Sequence, residues 1–177
     1  ATRMEPDEGF LADFRRENQL EGPYFLCAAS FVEENNLELL FREYLAYEGQ
    51  AALVLLTTPD YRQSPLYGRL NRQFGLEGHA RIRIFGDIYE EKKLDTLRLH
   101  CEAYIHPSQR DSTDPNLLEA MANAPVALAY HCPFNLEAAL TGGLYFGAEN
   151  GGLCNMLRLV EQLDEASRQE IAAAAQE

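Results

Sequence analysis

No stretch of this chain approaches the ~18 consecutive apolar residues that suggest a membrane-spanning helix. Its four cysteines form no C-x-x-C pair and its four histidines show no ligand spacing, which argues against a zinc site and for no metal at all. Basic residues are scarce, with 15 Lys and Arg against 28 Asp and Glu and a net charge of -13. Nucleic-acid binding needs a basic stripe, and none is present. No G-x-G-x-x-G follows Phe31, which disfavours a dinucleotide oxidoreductase. Glu33, Glu34 and Asp87 offer the acids of a phosphoacceptor receiver, but no Lys follows the apolar segment 126–130 to complete that pocket. No signal-peptide pattern opens the chain, and it begins at Ala1 rather than Met, as a piece of a longer protein would. Cys27, Cys101, Cys132 and Cys154 read as reduced and buried, with Cys27 and Cys101 in apolar strand-like segments, which fits a cytoplasmic location.

What is present is an ordinary globular composition, 46% hydrophobic over 177 residues, enough for one domain with a full core. Residues 1–9 are polar and read as a tail or linker, leaving 10–177 as a single domain. Short apolar segments at 24–31, 51–57, 81–85, 102–106, 126–130 and 144–146 alternate with helical patterns at 36–47, 64–74, 90–100, 114–123 and 133–140. Asn150 is expected to cap a helix running to Leu163, and an alanine-rich helix follows at 166–175. Alternation of this kind predicts an α/β fold with a parallel sheet. In such sheets ligands sit beyond the carboxyl ends of the strands, so the loops at 32–36, 58–64, 87–90, 107–114 and 131–133 should form one rim.

The stretch 106–146 carries the most specific chemistry. A polar loop, His106-Pro-Ser-Gln-Arg-Asp-Ser-Thr-Asp114, leads into a helix opened by Pro115, which suits the first helical position because it lacks an N–H. Such a helix start aims free N–H groups and a positive dipole end at the rim, where phosphate is the ligand it holds best. Glu119 lies one turn further in, and its side chain leans back toward the helix start. Leu117, Leu118 and Met121 are expected to take the buried face and leave Glu119 near the rim. A phosphate beside a carboxylate that accepts hydroxyl protons describes a site for a nucleotide sugar.

Asp114-Pro-Asn-Leu-Leu-Glu-Ala-Met121, the Phe134-Asn-Leu-Glu137 turn, Gly143-Leu-Tyr-Phe146 and Glu34-Asn-Asn36 together resemble the donor-binding, C-terminal half of a retaining GT-B glycosyltransferase, most nearly the bacterial polysaccharide rhamnosyltransferase-like group. The resemblance spans roughly 10–163. It implies a Rossmann-like three-layer α/β/α domain with a parallel sheet, half of a GT-B fold. It also implies a nucleotide-diphospho-sugar as substrate and no cofactor or metal. A hexosyl or deoxyhexosyl group would pass to a polysaccharide or lipid-linked acceptor, the latter at the inner face of the membrane. An N-terminal acceptor domain of the same enzyme would be the partner, so the chain alone is expected to bind donor and turn over little.

By the same resemblance Glu119 accepts from the ribose hydroxyls. Asp111 falls where the family usually carries a glutamate on the sugar, and these two acids are the candidate catalytic pair. Backbone N–H groups of Ser112, Thr113, Asp114 and Asn116 would hold the diphosphate, with Gly86, Asp87 and Ile88 near the base. The family's basic pair falls at Ser30 and Asn35, neither of which is cationic here. Arg110 and Arg62 are the nearest candidates to replace that charge. A binding or scaffolding module that has lost catalysis is the alternative that this loss supports.

Overall fold

The three-layer arrangement follows from strands that are apolar on both faces, the pattern of a sheet covered on two sides. In the computed structural model, which describes residues 5–109, 115–139 and 142–175, β1 (Tyr24–Ala28), β2 (Ala52–Leu56), β3 (Ile82–Phe85), β4 (Ala103–His106), β5 (Ala127–Tyr130) and β6 (Leu144–Phe146) form one six-stranded sheet in the order β3-β2-β1-β4-β5-β6. Every pairing is parallel, with Phe25 opposite both Leu53 and Ala103. Strand alternation divides the core. Phe25, Cys27, Leu53, Leu55 and Ile105 pack with α2 (Leu37–Tyr47), α3 (Pro65–Phe74) and α7 (Gly152–Gln162). Tyr24, Leu26, Val54 and Tyr104 pack on the opposite face with α1 (Glu8–Glu17), α4 (Glu91–His100) and α5 (Pro115–Asn123). Two further helices, α6 (Pro133–Ala139) and α8 (Glu165–Ala175), pack against α5. This is the expected Rossmann-like α/β fold.

Several boundaries differ from the pattern-based expectation, each for an identifiable reason. The first helix starts at Glu8, because the Asp7 carboxylate accepts from the Phe10 N–H at 2.9 Å and the Asp7 N–H donates to Thr96 Oγ1 at 2.8 Å. Residues 7–9, assigned to a polar tail, therefore cap and open α1. The cap of α7 is Gly151 at φ 89° rather than Asn150. The charged partner for that helix start comes from α2: buried Glu43 accepts from the N–H groups of Gly151 at 3.3 Å and Cys154 at 3.4 Å. A carboxylate is favoured at this positive end. All four cysteines are buried free thiols, though Cys101 lies in the turn after α4 rather than in a strand. Burial pushes the Cys101 and Cys154 thiols up from their ordinary value.

Strand order reverses between β1 and β4, so the loops leaving these two strands diverge and leave a crevice at their carboxyl ends. Of the candidate residues, Ser30 and Asn35 follow β1, and Asn116 and Glu119 lie on the helix after β4, the two strands that flank this switch point.

Candidate functional site

The rim is built first from amide side chains. Asn35, only 4% exposed, donates from Nδ2 to the Ser30 carbonyl at 2.8 Å and to Ser30 Oγ at 3.3 Å. Its neighbour Asn36 sits in the left-handed region at φ 53°, a conformation asparagine tolerates well, and donates to the Pro107 carbonyl at 3.0 Å. The Gln109 N–H donates to the Glu34 carbonyl at 2.9 Å, so the β1 and β4 loops are tied twice across the switch point. Asn135 of α6, 5% exposed, ties the β4 loop to the end of β5 by donating to the carbonyls of Ser108 at 2.8 Å and Tyr130 at 2.9 Å. Each amide gives main-chain carbonyls of the irregular loops a hydrogen-bond donor from within the protein.

The loop after β3 approaches the loop after β2 so closely that a Cβ on Gly86 would lie 2.8 Å from the Thr58 carbonyl oxygen and 3.0 Å from Pro59 Cα. Only glycine fits there. Tyr89 Oη donates to the Gly86 carbonyl at 2.7 Å and fixes the turn. Asp87 is exposed, and Ile88 is half-buried against the α1 and α4 core. A cavity of about 420 Å³ opens here, lined in part by Phe10, Phe14, Asp87, Ile88, Tyr89 and Lys93.

The α4–α5 corner is different in kind. Arg98 is 2% exposed although it lies on a helix bounded by charge. Its Nη1 donates to Glu91 at 3.1 Å and Asp95 at 2.8 Å, while Nη2 donates to Asn116 Oδ1 at 3.3 Å and Glu119 Oε2 at 2.8 Å. Burial by itself pulls the guanidinium pKa down; the bond to Asp95, with Tyr104, Glu119 and Glu91 nearby, outweighs it and raises the value. Asn123 joins the corner by donating to Asp95 at 3.1 Å. Two of the predicted residues, Asn116 and Glu119, thus meet on one cation, with the Glu119 side chain 43% exposed.

Arg110, Asp111, Ser112, Thr113 and Asp114 lie outside the described residues. Helix α5 does open at Pro115, with Leu117 and Met121 buried as expected. Leu118 does not take the buried face: it is 45% exposed, because the helix turns its stripe through Leu117, Ala120 and Met121. Ser30 and Asn35 are brought together, but by a hydrogen bond that spends the Asn35 amide on the protein itself. Arg62 is engaged by the protein itself: it forms a two-point pair with Glu77, both contacts at 3.2 Å, and lies over the Tyr61 ring. Glu33 is an exposed loop acid paired with Arg69 at 3.1 Å. His106 is buried at the end of β4 and His131 is exposed after β5.

Sequence reasoning missed Arg98 altogether, since the helical pattern at 90–100 points to its leucines as the buried face. The helix buries Thr96, Leu97 and Arg98 instead. A local signal existed: Glu91, Asp95 and Arg98 share one face at helical spacing. Nothing local showed that Asn116 and Glu119 would arrive from the next helix.

No protein-family model matches the chain, and no curated protein matches it. Solved structures do. A trehalose-6-phosphate synthase, OtsA, superposes with a TM-score of 0.76 at 16% identity, over 98% of this chain and 43% of that one. A UDP-forming α,α-trehalose-phosphate synthase from Burkholderia vietnamiensis gives 0.75 at 15% identity, over 93% and 43%. The E. coli structure bound with UDP-2-fluoro glucose gives 0.71 at 16% identity, over 98% and 43%. At such identities the likeness concerns the fold, and the chain spans less than half of each neighbour. The fold is that of one half of a GT-B glycosyltransferase. These neighbours are trehalose-phosphate synthases and not members of the rhamnosyltransferase-like group that the motifs resemble.

Proposed function

We propose that this chain is the donor-binding half of a nucleotide-sugar-dependent glycosyltransferase. The observation that carries the reading is the placement of Glu119: a half-exposed carboxylate one turn inside a helix that opens at the carboxyl edge of a parallel sheet, held by a buried arginine. In this reading the α5 start holds the diphosphate and Glu119 accepts from the ribose. Asp111 contacts the sugar, and Gly86, Asp87 and Ile88 lie near the base. The neighbours' substrates support a nucleotide-sugar donor, since one is UDP-forming and another is bound with UDP-2-fluoro glucose. A hexosyl or deoxyhexosyl group would go to a polysaccharide or lipid-linked acceptor held by a separate N-terminal domain. The rhamnosyltransferase-like specificity remains part of this proposal, on the motifs alone.

Titration with UDP- and dTDP-sugars tests it: saturable binding is expected, and none at millimolar donor overturns it. Glu119→Ala should weaken nucleotide binding by about 1–3 kcal/mol, the loss typical of a hydrogen bond to a charged group, with little change in the thermal midpoint because Arg98 retains Asp95 and Glu91.

A second reading, a binding or scaffolding module without turnover, is favoured by one observation. Asn35 is buried and committed to Ser30, so neither position where the family carries a cation offers a charge to a leaving diphosphate. Donor binding without hydrolysis or transfer, in the presence of any acceptor domain, would select it.

A further inference from the structure

We infer that Arg98 is a positioning residue for ribose recognition and makes the α4–α5 corner a reader of vicinal hydroxyls rather than of phosphate; the inference rests on the donor-binding reading above. The guanidinium divides its work. Nη1 holds Glu91 and Asp95 of its own helix, and Nη2 reaches across to Asn116 and Glu119 of α5. Two carboxylates on α4 already neutralise the buried cation, so its charge does not require Glu119. The added contact instead fixes one oxygen of that carboxylate. Oε2 is held at 2.8 Å, while Oε1 has no protein partner among the described residues and belongs to a side chain 43% exposed.

A free glutamate loses side-chain rotamer freedom when it binds a ligand. One clamped beforehand gives up less, which is the gain of preorganisation. The planar fork of arginine spans both pairs, which the single nitrogen of a lysine does not. One cation faces three carboxylates, so the corner is net negative. It therefore repels phosphate oxygens and favours O–H donors, leaving the ribose diol as the part of a nucleotide that fits it.

The test compares UDP, ADP and GDP with their 2′,3′-dideoxy counterparts by calorimetry on the wild-type chain, Arg98→Lys, Glu119→Gln and the double variant. Arg98→Lys keeps a cation for Asp95, and circular dichroism checks its fold. The wild type should prefer the ribo form of whichever nucleotide binds by about tenfold or more. Arg98→Lys and Glu119→Gln should each bring that preference to near unity, leave dideoxy binding unchanged, and show no further loss when combined. A second measurement needs no variant: the guanidinium ¹⁵N–H signals of Arg98 should shift with the ribo ligand and stay in place with the dideoxy one. Retained preference in Arg98→Lys, or Arg98 signals that do not distinguish the two ligands, overturns the inference. Binding without any ribo preference in the wild type overturns it, together with the ribose role of Glu119, while leaving nucleotide binding itself intact. No nucleotide binding at millimolar concentration overturns both.

Discussion

The Ser30–Asn35 corner and the α4–α5 corner both organise the rim through buried polar side chains, yet by opposite means. At the first, a neutral amide meets main-chain carbonyls and a hydroxyl, and no net charge is buried. At the second, a cation 2% exposed is surrounded by three carboxylates and an amide. At the neutral corner both contacts of the Asn35 amide nitrogen stay inside the protein. At the charged corner Glu119 and Glu91 each meet the cation through one oxygen and keep side chains 43% and 55% exposed. A closed polar cluster builds structure, and one with an open end is available to a ligand. In this chain the buried cation sits behind a carboxylate and not in the crevice. Within the donor reading, that favours recognition of hydroxyls over stabilisation of a developing diphosphate charge.

The comparison breaks most easily at Arg98. Arg98→Ala should cost about 3 kcal/mol in urea-measured stability, toward the low end for a buried pair that loses one partner, since the carboxylates left behind are partly in water. A loss below 1 kcal/mol would make the charged corner as dispensable as an exposed pair. Asn135→Ala comes next. It removes the tie that spans the Ser108 and Tyr130 carbonyls and should lower stability by about 2 kcal/mol, with faster amide exchange at the rim loops than in the sheet.

His79, far from either corner, supplies a pH-sensitive contrast. Its Nδ1 accepts from the N–H groups of Arg81 and Ile82, each at 3.0 Å. Burial, with the charge of Arg81, lowers its pKa below the ordinary 6.5. The neutral ring is therefore the form the fold prefers. Its contribution is present above pH 6.5 and is lost as the pH falls from there through the depressed folded value. Urea midpoints at pH 7.5 and 5.5 should show that fall in the wild type and a smaller one in His79→Gln. The smallest effect is expected at Arg62. Arg62→Ala removes an exposed pair with Glu77 and should change stability by less than about 1 kcal/mol and leave donor affinity unchanged. A large loss of affinity would show that Arg62 leaves Glu77 to meet the diphosphate.

Much of the fold was legible because its signals are local. Continuous apolar strands, Pro115 at a helix start and glycine at a helix end such as Gly75, at φ 67°, each act within a few residues. Glu119 was legible for the same reason, as the residue one turn inside α5. Non-local partners were not legible. The buried Glu43 at the start of α7 is paired across more than 100 positions, with |i−j| of 108 to Gly151. Thr96 fixes the N-terminal segment through Asp7 over 89 positions.

By itself the sequence determined the alternation of elements, hence a parallel sheet covered on both faces, and the helix that opens at its rim. Periodicity and capping are properties of neighbouring residues, so they can be read along the chain. Only the tertiary structure decided the order of the strands, the neutral closure at Asn35, and the meeting of Arg98 with Glu119. A buried charge is tolerated only where opposite charges converge on it from separate helices, and that convergence exists only once the chain has folded.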